Sequence, residues 1–107
     1  MKSKVYYVDI DGTICTKSEN NNYAEAKPYK WRISIINQLY DDGIEIHYWT
    51  ARGMSSGKNW QELTKKQLAE WGCKYTSLNF NKPSYDLWID DKCMSEREYF
   101  GVDLDDL

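Results

Sequence analysis

The chain has 107 residues, of which 41% are hydrophobic and 15% aromatic, and a net charge of −3 at pH 7. That length suits a single domain, residues 1–107, with one core, and the apolar and aromatic content excludes a disordered chain. The mild acidity weighs against a nucleic-acid or anionic-membrane partner, and Lys65-Lys66 is the only adjacent pair of basic residues.

Met1-Lys2-Ser3-Lys4 leads directly into a short apolar run that ends in acidic residues, so no secretory leader is expected. No apolar stretch approaches the roughly 20 residues that cross a bilayer. Cys15, Cys73 and Cys93 form no CxxC pair, which favours free thiols in a reducing compartment over disulfides or a zinc site. A soluble, cytoplasmic protein is the expectation.

In chain order, Lys4–Ile10 (KVYYVDI) is β-branched and aromatic, and reads as a buried strand running into a turn at Gly12. Cys15–Lys27 is polar and reads as a loop or small flap. Pro28 suits a helix start. Ile33, Ile36, Leu39 and Tyr40 then recur at helical spacing up to Gly43. Ile44–Trp49 reads as a second strand and Thr50–Lys58 as a loop. Trp60, Leu63, Gln67-Leu68 and Trp71 mark a second helix, stopped by Gly72. Lys74–Phe80 is read as a third strand and Tyr85–Ile89 (YDLWI) as a fourth. Lys92–Leu107 holds one short element and the acidic tail Asp103–Asp106.

Alternating strands and helices predict an α/β domain with a mostly parallel sheet, whose ligands bind beyond the carboxyl ends of the strands. The residues expected there are Asp9, Asp11, Thr50, Arg52, Asp90 and Asp91, with Lys82 just ahead of the last strand. Four carboxylates at one sheet end would repel one another, and a hard divalent cation such as Mg2+ relieves this. Thr50 and Lys82 offer a hydroxyl donor and a compact cation to a phosphoryl group. One carboxylate can attack phosphorus, while a second, two residues on, serves as acid and then base.

These residues also carry a resemblance. Asp9-Ile10-Asp11-Gly12-Thr13 resembles the DxDGT signature of the haloacid dehalogenase-like phosphatase superfamily. Thr50, Lys82 and Asp90-Asp91 are similar to its later motifs, in order. The resemblance implies a Rossmann-like three-layer α/β/α core. It implies Asp9 as nucleophile and metal ligand, and Asp11 as acid/base and metal ligand. Thr50 and Lys82 would be phosphate-binding, with Asp91, or alternatively Asp90, completing the Mg2+ site. The stretches after Gly12 and Thr50 are short, so no cap domain is expected. WTARG, NWQELTKKQLAEWG and KPSYDLWIDDK further resemble small proteins of bacterial capsule and surface-sugar synthesis.

The reaction so implied is hydrolysis of a small phosphomonoester, a sugar or polyol phosphate. The alternatives are a polynucleotide 3′-phosphatase, a phosphoprotein phosphatase, and a scaffold that binds phosphate without turnover. Arg52 either touches substrate or steadies Asp90. His47, inside a strand, reads as a half-buried structural residue. An uncapped site and surplus aromatics such as Trp60 and Trp71 predict a homo-dimer or tetramer.

Overall fold

The computed structural model describes residues 4–101. Strand β1 (Val5–Val8) is followed by 3₁₀ turns at Glu19–Asn21 and Tyr23–Glu25 and by helix α1 (Lys30–Asp41). Strand β2 (Glu45–Trp49), helix α2 (Gln61–Glu70), strand β3 (Ser77–Asn79) and helix α3 (Glu96–Phe100) complete the order. The acidic tail Asp103–Asp106 lies outside the described residues.

All three strands are parallel, in the order β1-β2-β3, with Val5 beside Glu45 and His47 beside Ser77. Side chains alternate across the sheet. Tyr6, Val8, Ile46, Tyr48 and Leu78 therefore share one face, and all belong to or pack on the core. Ile33 and Ile36 of α1, Leu68 of α2 and Phe100 of α3 meet the same core. The other face carries Val5, Tyr7, Glu45, His47, Trp49, Ser77 and Asn79. There His47 Nδ1 meets the Ser77 hydroxyl, and His47 Nε2 lies 3.4 Å from Glu45.

Both longer helices end the same way. Gly43 and Gly72 take positive φ, +94° and +72°. Their amides donate back to Tyr40 and Ala69, while Ile44 and Cys73 donate to Leu39 and Leu68. This 6→1 and 5→2 pattern satisfies carbonyls that a helix end otherwise leaves bare, and the left-handed position favours glycine. The reversal turns the chain straight into β2 after α1 and toward β3 after α2.

The expected fourth strand is not formed. Among the described residues Tyr85–Ile89 has no sheet partner, and Leu87 is 74% and Ile89 88% exposed. Side-chain ring contacts tie this segment to the sheet. The Trp88 ring packs edge-on against Trp49 and Tyr85, and Asp90 Oδ1 accepts from the Lys92 amide in a tight turn. The alternating apolar pattern was a fair strand signal, but the ring contacts claim the segment and β1 remains a sheet edge.

Candidate active site

The carboxyl ends of β1, β2 and β3 bring Asp9, Asp11, Thr50, Arg52 and Lys82 into one connected group. Asp9 lies one residue past β1 and Thr50 one residue past β2. The Thr50 amide donates to the Asn79 carbonyl, and the Thr50 carbonyl accepts from the Lys82 amide at 3.2 Å. Those two bonds bring the chain after β3 back beside β2. Lys82 thus reaches the site from the end of β3, not from the foot of a fourth strand.

Asp9 and Asp11 have different surroundings. Asp9 Oδ1 lies 3.3 Å from the Lys82 ammonium, and the Thr13 hydroxyl is 3.4 Å from Asp9 Oδ2. Burial raises the Asp9 carboxyl above its ordinary pKa, with the Lys82 charge opposing that shift. Lys82 is itself largely buried, 6.0 Å from the centre of the Trp49 ring and 5.3 Å from that of Tyr85.

Asp11 is held instead by Arg52. Nε donates to Oδ2 at 2.9 Å and Nη2 to Oδ1 at 2.8 Å, a two-pronged pair. Arg52 is buried, and its Nη1 donates to Thr64 Oγ1 and Gln67 Oε1. Its guanidinium also lies 4.6 Å from the centre of the Tyr23 ring. In this structure Arg52 therefore steadies Asp11 rather than Asp90. Thr50, also buried, accepts from the Arg52 amide at 3.1 Å, which leaves its own O–H free to donate.

Asp90 and Asp91 lie on the exposed turn after Trp88, whose indole N–H donates to Asp90 Oδ2 at 3.4 Å. Among the described residues, no three His, Cys, Asp or Glu side chains are grouped so as to hold a metal ion. The two carboxylates at the strand ends are matched by Lys82 and Arg52.

Sequence reasoning missed Thr64, Gln67 and Tyr23. Gln67 left one trace, an amide on the otherwise apolar stripe of α2; nothing in the local sequence marks Tyr23.

No family model matches the chain, and no curated protein does. A structural genomics target from Vibrio cholerae, known from a crystal structure, is similar to it with a TM-score of 0.82. The match covers 96% of this chain and 92% of that one, at 22% identity. The likeness is one of fold. It supports a small α/β domain with a parallel sheet, and none of the described helices is long and apolar enough to cross a membrane.

Proposed function

We propose that the chain is a phosphomonoester hydrolase of the haloacid dehalogenase-like type, with a Rossmann-like, uncapped core and a small sugar or polyol phosphate as substrate. One observation carries this reading. Two carboxylates at the end of β1 are separately matched by cations, Asp9 by Lys82 and Asp11 by Arg52. That division gives them unlike tasks. Asp9 sits beside a cation that also suits a phosphoryl group, whereas Asp11 is fixed in orientation by a guanidinium fork.

In the first step an Asp9 carboxylate oxygen attacks phosphorus. The bond from phosphorus to the substrate oxygen breaks, and Asp11, entering the step with one carboxyl oxygen protonated, gives the substrate oxygen its proton. In the second step Asp11 takes a proton from water as the water oxygen attacks phosphorus. The Asp9–phosphorus bond breaks, releasing inorganic phosphate and restoring both carboxylic groups. Lys82 and the Thr50 hydroxyl would offset negative charge on the phosphoryl oxygens as it is transferred. Dependence on Mg2+ and a place in capsule or surface-sugar synthesis belong to the same reading.

The test is a comparison of two isosteric changes. Asp9→Asn should abolish turnover of small phosphomonoesters. Asp11→Asn should slow it by about 10²–10⁴-fold, the usual worth of acid/base catalysis. With p-nitrophenyl phosphate, whose leaving group needs little acid help, Asp11→Asn protein should accumulate one phosphoryl group on Asp9. Intact-mass spectrometry after acid quench detects it, and hydroxylamine should remove it. Chelation before the assay, then Mg2+ addition, examines the metal dependence. Turnover in Asp9→Asn would defeat the covalent route, and preference for 3′-phosphorylated oligonucleotides or phosphopeptides would replace the substrate class.

A further inference from the structure

We infer that Thr64 and Gln67 of α2 are positioning residues for Asp11, acting through the guanidinium of Arg52. This rests on the reading of Asp11 as the acid/base. Arg52, Thr64 and Gln67 are all buried polar side chains, and each is placed so that its hydrogen bond to the next has one sense. The Thr64 hydroxyl donates to the Trp60 carbonyl at 2.8 Å, so only its lone pairs face Arg52 Nη1, 3.0 Å away. Gln67 Nε2 donates to the Tyr23 carbonyl at 2.6 Å, which turns Oε1 toward the same Nη1 at 2.7 Å. Nη1 therefore has two fixed acceptors, and Nε and Nη2 fork onto Asp11. The Tyr23 ring, itself edge-on to Trp60, covers the guanidinium.

A buried cation needs a partner for each donor, because an unmatched one bears the full cost of lost solvation. Thr64 and Gln67 meet that need at Nη1 with neutral acceptors, so no second anion is drawn to Arg52 there in competition with Asp11. The guanidinium is planar and rigid. Fixing Nη1 from the α2 side therefore fixes the plane and reach of the opposite edge, and so the direction of both Asp11 oxygens. Proton transfer to a leaving oxygen is sensitive to such placement, since a shift of about 1 Å can cost on the order of 10²-fold. Two residues far along the chain from the DxDGT segment thereby set the geometry of its second carboxylate.

The experiment uses the full chain carrying Thr64→Val or Gln67→Leu, with Thr64→Ser as the conservative rescue. If either apolar variant fails to fold, Gln67→Asn takes its place; it keeps the amide but withdraws the acceptor from Nη1. Rapid-quench measurement of aspartyl-phosphate formation compares an alkyl phosphate, which needs a proton donor, with p-nitrophenyl phosphate, which scarcely does. The expected result is a loss of about 10- to 100-fold with the alkyl substrate, little loss with the aryl one, an unchanged KM, and recovery in Thr64→Ser. Equal losses with both substrates, or none, would overturn the inference and leave the pair with a purely structural role.

A second readout is independent of activity. The ¹⁵N-edited Arg52 Nε–H signal should exchange slowly with solvent in wild type and Thr64→Ser, and rapidly in Thr64→Val and Gln67→Leu. An unchanged signal counts against the clamp. If the wild type hydrolyses no phosphomonoester, the proposed function falls, while this signal alone still decides whether α2 holds Arg52 on Asp11.

Discussion

Asp9 and Asp11 lie two residues apart yet face different cations, and the residue between and beyond them explains how the segment is held. Ile10 is fully buried, and the Ile14 and Thr13 amides donate back to its carbonyl at 3.0 and 3.1 Å. Beneath this turn lies the thiol of Cys15, 3.6 Å from both the Ile10 carbonyl and Asp11 Oδ1. Burial, with the Asp11 charge adding to it, pushes the Cys15 pKa up to about 12 from an ordinary 9.0, and burial takes Cys73 up to about 11. Below pH 9 the folded and unfolded chains both keep these protons, and the thiols leave stability unchanged. From pH 9 upward the unfolded chain loses them first, so the folded state binds more protons and stability falls until each folded value is passed. The slope is on the order of 1 kcal/mol per pH unit for each thiol. Urea unfolding at pH 8 and pH 10.5 should show the loss, and Cys15→Ser should reduce it. Alkylation at pH 8 followed by mass spectrometry should label the exposed Cys93 readily and Cys15 only in denaturant.

At the scale of elements, what was legible in the sequence follows from how local each signal is. Helices α1 and α2 and strands β1 and β2 sit where apolar spacing and terminal glycines put them, because both signals are written within a dozen residues. Asp9, Asp11 and Thr50 were legible for the same reason: a residue that closes a parallel strand reaches the binding edge of the sheet. Lys82 was expected ahead of a fourth strand and comes instead from the chain after β3. The clamp on Asp11 was not legible, since it joins residues 11, 23, 52, 64 and 67 from four separate stretches of the chain. The fourth strand failed because alternation at Tyr85, Leu87 and Ile89 states a preference, and partners decide it. One local signal went unread. Ser95-Glu96-Arg97-Glu98 is a capping box ahead of α3, in which Ser95 Oγ accepts from the Glu98 amide at 3.2 Å and donates to its carboxylate at 3.0 Å. Glu96 then meets Arg32 of α1 at 3.0 Å, and Phe100 enters the core. Ser95→Ala should therefore cost about 1 kcal/mol, read as a lower urea midpoint with unchanged slope. A five-residue helix has little else to hold its first turn, so an unchanged midpoint would mean that Phe100 and Glu96 anchor α3 without the cap.

On the scale of the whole molecule, the sheet has one face filled by all three helices and another on which Val5, Tyr7, His47 and Trp49 stand beside the polar Glu45, Ser77 and Asn79. Parallel sheets are ordinarily buried on both faces, yet on this one Val5 is 50% and Tyr7 62% exposed. Tyr7 stacks on His47 and meets Trp49 edge-on, and Trp49 meets Trp88. Tyr85, Leu87 and Ile89, on the segment that Trp88 ties to Trp49, are exposed as well, and the surface adjoins the site through Lys82, which lies near both Trp49 and Tyr85. Exposed aromatic and aliphatic side chains grouped in this way mark an interface more often than a solvated face, and a second copy laid across them would also shield the neighbouring site. We therefore expect a dimer or tetramer. Sedimentation at micromolar concentration should give a species heavier than the 12.7 kDa chain. Tyr7→Glu and Leu87→Glu place a charge where a partner's apolar surface would lie, and each should shift the protein toward the monomer. Their circular dichroism should stay as in wild type, because both side chains already stand in water in the single chain. A wild type that sediments as a monomer would defeat this arrangement. The aromatic face and the site beside it would then stay open, a geometry better suited to a large phosphorylated partner than to a small metabolite.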